Sequence, residues 1–176
     1  PPTIYRLVDD SRRAFHAGES YWNGNSQLNA SSIGIELVNP GPEETPDGRV
    51  WFEYPQRQID ALIELLKKLV AENWIKPGNI LGHSDIAPQR KIDPGPTFPW
   101  KRLADAGLIP WPEAGLVKKK QEEYESQLPN VLWFQEKLAK HGYAVPLSGE
   151  LDKATVQVLI VFQMKYRPSK YDGTPD

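Results

Sequence analysis

Cysteine is absent from this 176-residue chain, and the absence narrows the chemistry open to it. It excludes disulfide bonds, thiol catalysis and cysteine-based zinc sites. Histidine is scarce as well, since the chain has three. Any metal site would therefore draw its ligands from a few His residues together with Asp and Glu.

Long apolar runs and a strong excess of one charge are also missing. No apolar run approaches the roughly 20 residues that a membrane span needs. The net charge is -2, so a broad electrostatic attraction to nucleic acid is not expected. The chain opens on Pro1-Pro2 without a signal segment and closes on a loop-like Gly-Thr-Pro-Asp. We therefore expect that both ends are trimmed from a longer protein.

Three segments have the pattern of β-strands. Residues 4–8 alternate in hydropathy and predict a short strand. Residues 33–38 are rich in β-branched and apolar side chains and predict a central strand, and Ile80-Leu81 predicts another short one. Residues 39–49 contain three Pro and two Gly, which is typical of a surface loop.

Four segments have the pattern of helices. The clearest is Pro55 to Trp74, where apolar residues recur at helical spacing along one face: Ile59, Leu62, Ile63, Leu66, Leu69 and Val70. A short helix is predicted from Trp100 to Ala106. Two amphipathic helices follow a charged linker, at about 130–140 and about 152–166.

Two residues offer a candidate metal site. His83 follows a predicted strand, and Asp93 comes ten residues later in a proline-rich loop. Such a pair can converge on one zinc ion, which in enzymes takes three protein ligands and keeps an open position for water. The spacing alone is weak evidence, because an Asp before Pro-Gly more commonly starts a turn.

Glu36 and Lys91 each have a functional and a plain interpretation. A carboxylate among Ile33, Ile35 and Leu37 is costly unless it is paired, exposed or used in chemistry. The alternation also permits Glu36 to point outward, on the same face as Gly34 and Val38. Lys91 could equally be a solvated loop lysine. These residues alone indicate no more than a candidate metal hydrolase.

The longer strings are more specific. Phe15-His16-Ala17-Gly18, Leu28-Asn29, the run from Ser32 to Leu37, and the run from His83 through Lys91 to Asp93-Pro94-Gly95 resemble AmiD/AmpD-type zinc N-acetylmuramoyl-L-alanine amidases. The resemblance covers roughly residues 1–112. It implies an α/β fold with a mixed central sheet flanked by helices, as in peptidoglycan recognition proteins.

The rest of the chain resembles a second family. Phe134-Gln135, Gly142-Tyr143, Gly149, Thr155 and Phe162-Gln163 are similar to a three-helix peptidoglycan-binding domain. We therefore predict an amidase domain over residues 1–112 that lacks its N-terminal part. A linker over 113–128 and a small all-α peptidoglycan-binding domain over 129–176, without its last helix, would follow.

The resemblance also implies roles for individual residues. His83 and Asp93 match two zinc ligands, and the third, a His, is expected upstream of residue 1. Glu36 matches the catalytic glutamate and Lys91 the catalytic lysine. His16 and Asn29 fall in segments that line the substrate cleft, and His16 is not the usual first ligand. The implied reaction is zinc-dependent hydrolysis of the amide between N-acetylmuramic or anhydro-muramic acid and L-alanine in peptidoglycan or muropeptides.

Two other functions remain open on the sequence. One is a non-catalytic protein that binds peptidoglycan or muropeptides, although Glu36, Lys91 and Asp93 favour catalysis. The other is a zinc peptidase acting within the stem peptide, which the spacing from His83 to Asp93 disfavours. A peptidoglycan substrate implies a periplasmic location, with anchoring at the outer membrane in some relatives. Nothing in the sequence indicates an oligomeric state.

Overall fold

A computed structural model describes residues 2–176, so that Pro1, the first residue of the predicted amidase domain, lies outside the described residues. The described part contains seven α-helices and one β-hairpin. In chain order the elements are α1 (Leu28–Ser31), β1 (Pro42–Thr45), β2 (Gly48–Trp51), α2 (Gln56–Asn73), α3 (His83–Ile86), α4 (Trp100–Asp105), α5 (Ala114–Ser126), α6 (Val131–His141) and α7 (Lys153–Tyr166). None of these helices is long and apolar enough to cross a membrane.

The predicted long helix is confirmed as α2. It begins after Pro55 and ends at Trp74, whose backbone turns into the left-handed region with φ of 55°. The predicted apolar face is the buried one: Ile59, Leu62, Ile63 and Leu66. The short helix α4 is also confirmed, and its Trp100 and Leu103 pack into the same core. These helices could be predicted because their apolar residues recur at the helical spacing and form the face that is buried in the core.

The two C-terminal helices are confirmed and are held by side-chain caps. Asn130 accepts a hydrogen bond from the Trp133 amide at the start of α6, and Asp152 accepts one from the Thr155 amide at the start of α7. The buried Gln135 side chain joins the two helices. Its amide donates to the Thr155 hydroxyl at 2.8 Å, and its carbonyl accepts from the Gly149 amide at 2.8 Å.

The three predicted strands are wrong for the described residues. Residues 4–8, residues 33–38 and Ile80-Leu81 carry no strand assignment, and the one sheet among residues 2–176 is the antiparallel pair β1–β2. A β-strand forms only where its backbone is hydrogen-bonded to a neighbouring strand. A hydropathy pattern does not show whether such a neighbour exists. Residues 33–38 do retain the expected alternation: Ile35 and Leu37 pack on the core, whereas Glu36 is exposed. The predicted α/β class is confirmed, with a smaller sheet than expected.

The hairpin occupies the segment that was predicted as a surface loop. In β1 and β2, Pro42 pairs with Trp51 and Thr45 with Gly48 around a turn at Pro46-Asp47. Gly48 adopts φ of 116°, which favours glycine. The Pro-Asp-Gly string is a turn signal between two short extended runs. The hairpin was not predicted, because its two strands contain few hydrophobic residues.

The core consists of two clusters. The first packs α2 against α4 and the residues after it: Ile59, Leu62, Ile63, Leu66, Phe98, Trp100, Leu103, Leu108 and Ile109. The second joins distant parts of the chain: Ala17, Trp22, Leu28, Leu138, Tyr143, Val158, Leu159 and Val161. The N-terminal loops and the C-terminal helices therefore bury their apolar side chains against each other.

Helix α5 lies within the predicted linker. Glu113 caps it by accepting from the amides of Gly115 and Leu116, both at 2.8 Å. The helix has no buried residue. Its Tyr124 ring meets the Trp133 ring of α6 edge-on, with the ring centres 5.5 Å apart. The division into an amidase domain, linker and peptidoglycan-binding domain stays a prediction.

Candidate metal site

Helix α3 carries the first candidate metal ligand. His83 is its first residue, and Gly82 before it is the N-cap. The Asp85 carboxylate turns back and accepts a hydrogen bond from the Gly82 amide at 2.8 Å. The predicted strand before His83 is not formed, so a capped helical turn presents the imidazole instead.

The second candidate ligand lies beside the first. The Nδ1 atom of His83 is 3.2 Å from Oδ2 of Asp93. The backbone holds the two segments together, because the Ser84 amide donates to the Asp93 carbonyl at 2.9 Å. The side chain of Asp93 is 59% exposed, and that of His83 is 21% exposed. The predicted convergence of His83 and Asp93 is therefore present in the structure, with solvent access on the Asp93 side.

The donor pair fits a zinc ion in its spacing and chemistry. When Nε2 of His83 carries the proton it donates to the Ala17 carbonyl at 3.4 Å, and Nδ1 then presents a lone pair toward Asp93. In metal-binding His residues, the ring nitrogen that does not bind the metal usually donates a hydrogen bond in this way. Two ligand atoms that bind one zinc ion with tetrahedral geometry lie about 3.3 Å apart. The 3.2 Å separation of the two atoms suits that geometry.

This chain supplies two such donors. Among residues 2–176 there is no group of three or more His, Asp or Glu side chains placed to hold a metal. His16 is not part of the pair: its Nε2 lies 2.9 Å from the Ser32 hydroxyl, and its Nδ1 lies 3.1 Å from the Ala14 carbonyl. That His16 is not a metal ligand stays a prediction.

Asn29 is connected to the His83 pair through Ala17. The Asn29 side-chain oxygen accepts from the Ala17 amide at 2.7 Å. The Ala17 carbonyl in turn lies near His83 Nε2 and accepts from the Arg90 guanidinium at 2.5 Å. Arg90 also donates to the Glu19 carbonyl. Asn29 and Arg90 thus shape the loop that borders the candidate site.

His16 and Glu36 belong to one side of the segment 33–38. The His16 ring lies against Gly34, where an added Cβ atom would come within 2.6 Å of the ring carbons. Only glycine admits such a close approach. Glu36 is two residues further along, on the same exposed side of the alternating segment.

Lys91 follows the turn after α3. Its amide donates to the Ala87 carbonyl at 3.0 Å, and the residue is half-buried. Within residues 2–176, neither Lys91 nor Glu36 forms a side-chain hydrogen bond or ion pair with His83 or Asp93. The structure therefore joins His83 to Asp93 and leaves these two polar groups free for other contacts.

The end of the hairpin and the segment after it support the Asp93 loop, and sequence analysis did not predict this support. The Trp51 ring covers Gly95, where an added Cβ atom would lie 2.3 Å from the ring and where φ is 81°. The Tyr54 hydroxyl donates to the Pro94 carbonyl at 3.0 Å. Burial raises the pKa of Tyr54, and the nearby Asp93 charge raises it further.

A buried polar cluster lies directly behind the site. Asp85 of α3 is 1% exposed, and its carboxylate accepts from the Lys165 ammonium of α7 at 2.8 Å and from the Tyr143 hydroxyl at 2.5 Å. The Lys165 nitrogen also lies 4.1 Å from the centre of the Trp100 ring. Sequence reasoning missed this cluster, because a charged residue gives no sign of burial until its partners are known.

This cluster and the neighbouring Tyr166 should make the folded protein less stable at alkaline pH. Burial raises the pKa of Tyr143 well above its usual value near 10 and raises the pKa of Tyr166 to about 12. The nearby Asp85 charge adds to both shifts. A raised pKa in the folded state gives stability that is complete below the unfolded pKa. That stability should be lost as pH rises from 10 through 12.

Urea unfolding at about pH 9 and about pH 11 measures this effect. We expect the free energy of unfolding to fall more steeply with pH in the native sequence than in a variant carrying Tyr143→Phe and Tyr166→Phe. Tyr5→Phe is the matched control, because Tyr5 is 77% exposed. Equal pH slopes in the native and doubly substituted proteins would contradict the prediction.

Sequence comparison identifies two family matches along the chain. The family described as N-acetylmuramoyl-L-alanine amidase matches residues 2–96, and a peptidoglycan binding domain family matches residues 127–176. The chain is 40% identical to N-acetylmuramoyl-L-alanine amidase AmiD of Escherichia coli strain K12 over 176 residues, which is 99% of this chain and 63% of that protein. It is 40% identical to 1,6-anhydro-N-acetylmuramyl-L-alanine amidase AmpD of Enterobacter cloacae over 100 residues, covering 57% and 49% of the two chains.

Solved structures agree with the fold. AmiD of E. coli, in complex with anhydro-N-acetylmuramic acid-L-Ala-D-gamma-Glu-L-Lys, matches with a TM-score of 0.85 at 38% identity. AmpDh3 of Pseudomonas aeruginosa matches with a TM-score of 0.89 at 38% identity. Both alignments cover 98% of this chain and 67% of the other chain.

The chain spans less than two thirds of the length of AmiD and about half the length of AmpD. The amidase match nevertheless covers more than half of this chain and contains His16, Asn29, Glu36, His83, Lys91 and Asp93. The chain belongs to the N-acetylmuramoyl-L-alanine amidase family.

Proposed function

We propose that the protein hydrolyses the amide bond between N-acetylmuramic or anhydro-muramic acid and the L-alanine of the stem peptide, in peptidoglycan or its muropeptide fragments. The observation that carries this proposal is the approach of His83 Nδ1 to Asp93 Oδ2 at 3.2 Å, in a chain that belongs to the amidase family. The relatives named for this activity, and the AmiD complex with a muramyl tripeptide, support the substrate class.

His83 and Asp93 would hold the zinc ion together with a third protein ligand. We propose that this third ligand is a His, the residue type that the family resemblance implies. Zinc at this position would polarise the scissile carbonyl and activate a water for attack. When Nε2 of His83 carries the proton, the Ala17 carbonyl accepts a hydrogen bond from it and orients the ring.

Glu36 and Lys91 would move the proton and stabilise the charge. Glu36 is exposed on the same side of its segment as the His16 ring, where a water can reach it. As general base it takes the proton of the attacking water and passes it to the L-alanine nitrogen when the carbon–nitrogen bond breaks. The Lys91 ammonium would stabilise the oxyanion of the tetrahedral intermediate.

His16 and Asn29 would form part of the substrate cleft. Asn29 holds the Ala17 amide, and Ala17 contacts His83, so this side of the cleft is tied to the metal pair. The His16 ring over Gly34 lies between that loop and the Glu36 segment. The C-terminal helices would add affinity for the glycan strand, in agreement with the peptidoglycan binding domain match over residues 127–176.

Mass spectrometry of muropeptides incubated with the full-length protein tests the proposal. We expect release of the intact stem peptide with a free L-alanine amine, loss of that product with a chelator, and its return when zinc is added back. Asp93→Asn should behave like the chelated protein, whereas Asp105→Asn, on the exposed end of α4, should retain activity.

The other products discriminate among the remaining functions. A shortened peptide would identify a peptidase that cuts within the stem. Unchanged muropeptide under every condition, with binding still detectable, would make the protein a peptidoglycan recognition protein. Either outcome would overturn the amidase proposal.

We also propose a periplasmic location, because peptidoglycan lies outside the cytoplasm. Fractionation of cells that express the full-length protein tests this location. Recovery of the protein in the cytoplasmic fraction alone would contradict it.

A further inference from the structure

Asp85 touches three parts of the molecule at once. It lies two residues after His83 on α3 and is 1% exposed. Oδ2 accepts from the Gly82 amide and from the Lys165 ammonium, each at 2.8 Å, and Oδ1 accepts from the Tyr143 hydroxyl at 2.5 Å. One carboxylate thus joins the N-cap of α3 to Tyr143, two residues after the end of α6, and to the last turn of α7.

The same turn of α3 sets the position of His83. Gly82 is packed so closely that an added Cβ atom would lie 2.7 Å from Pro94 and 3.2 Å from the Trp100 ring. The Ser84 amide donates to the Asp93 carbonyl at 2.9 Å. A shift of the N-cap would therefore change the separation of His83 and Asp93.

Lys165 is unusual for a lysine, because it is buried. Its side chain is 5% exposed, and its ammonium lies between the Asp85 carboxylate and the Trp100 ring. A buried ammonium is costly unless it is paired, so Lys165 and Asp85 hold each other at a defined separation.

We propose that Asp85, Lys165 and Tyr143 are positioning residues for the metal site, so that the C-terminal helices hold His83 in place against Asp93. The contacts run from α7 through the Asp85 carboxylate to the N-cap of α3 and then to His83. In this arrangement the C-terminal segment 127–176 helps to position His83 without contacting the metal. The inference rests on the proposed role of His83 and Asp93 as zinc ligands.

Lys165→Met tests the positioning in two ways in the full-length protein. Hydrogen exchange of the Ser84 amide should become about tenfold faster relative to the Leu66 amide of α2, because the N-cap of α3 is loosened locally. The dissociation constant for zinc, measured by competition with a chelator, should rise by about 10- to 100-fold. Lys170→Met is the matched control, since Lys170 is 49% exposed and pairs with Asp176 at 3.0 Å. It should leave both measurements unchanged.

A purely structural role would give a different result. Loss of global stability would accelerate exchange at Ser84 and Leu66 together and would leave zinc affinity unchanged in the folded protein. That pattern would overturn the proposal. If Lys165→Met does not fold, Tyr143→Phe decides, because it removes one hydroxyl from Asp85 and leaves the ion pair in place. Unchanged Ser84 exchange in that variant would also overturn the proposal.

The two measurements separate this inference from the proposed function. If the native full-length protein bound no zinc, the proposed function would fail. The exchange of Ser84 would still report whether Lys165 and Tyr143 position α3.

Discussion

Glu36→Gln is expected to lower kcat for muropeptide hydrolysis by about 10²- to 10⁴-fold, which is the contribution typical of a general base. Glutamine keeps the shape of the side chain but cannot take a proton from the attacking water. Glu36 is exposed and forms no hydrogen bond or ion pair among the described residues, so the substitution should not disturb the fold. Steady-state kinetics by product mass spectrometry measures the loss.

The matched control is Glu53→Gln, which changes another exposed glutamate just after the hairpin. It should leave kcat within about twofold, since surface substitutions of this kind have small effects. Zinc affinity should be the same in Glu36→Gln as in the native protein, because Glu36 is not one of the proposed ligands. A fully active Glu36→Gln protein would show that the proton is moved by another group.

Asp85→Ala is expected to reduce the free energy of unfolding by about 3–5 kcal/mol, because it leaves the Lys165 ammonium buried without its partner. The Tyr143 hydroxyl and the Gly82 amide lose their acceptor in the same substitution. Domains of this kind have a total stability of about 5–15 kcal/mol, so the change removes a large part of it. Chemical denaturation measures the difference.

Two comparisons separate the buried charge from the lost packing. The double variant Asp85→Leu with Lys165→Met removes both charges, and it should recover much of the loss because replacing a whole buried ion pair by apolar residues is often nearly neutral. Asp60→Ala breaks the ion pair between Asp60, whose side chain is 55% exposed, and Arg102, whose side chain is 37% exposed. This substitution should lower the free energy of unfolding by less than about 1 kcal/mol. An equally small effect for Asp85→Ala would contradict the importance of the buried pair.

Helices α2, α4, α6 and α7 could be predicted because their signal is local, whereas α1, α3 and α5 lie in segments that were predicted as loop or linker. The apolar face of α2 and the cap residues Asn130 and Asp152 are legible in any window of a few turns. The strands could not, because Ile33 to Val38 has the composition of a strand but pairs with no other strand in the described residues. The hairpin was missed for the opposite reason: its residues are mostly exposed, and only Pro46-Asp47-Gly48 marks it.

The candidate metal site also has contacts that could be predicted from the sequence and contacts that could not. The approach of His83 to Asp93 follows from a ten-residue loop that returns to α3, and it was predicted first from the spacing of the two residues and then from the resemblance. The links from Asn29 to Ala17 and from Asp85 to Lys165 were not predicted. The latter joins residues that are 80 positions apart in the chain, and no local pattern records such a partner. Long-range polar pairing is the part of this molecule that sequence periodicity cannot describe.

The second core cluster has a consequence for how the chain folds during synthesis. Trp22 and Leu28 are made early, yet they bury against Leu138 and Val158 near the other end. At the usual rate of translation the partners leave the ribosome roughly ten seconds later. Until then the early aromatic and aliphatic side chains have no native surface to cover them. The nascent chain should therefore depend on chaperones during this delay, and truncations that remove α7 should aggregate rather than fold.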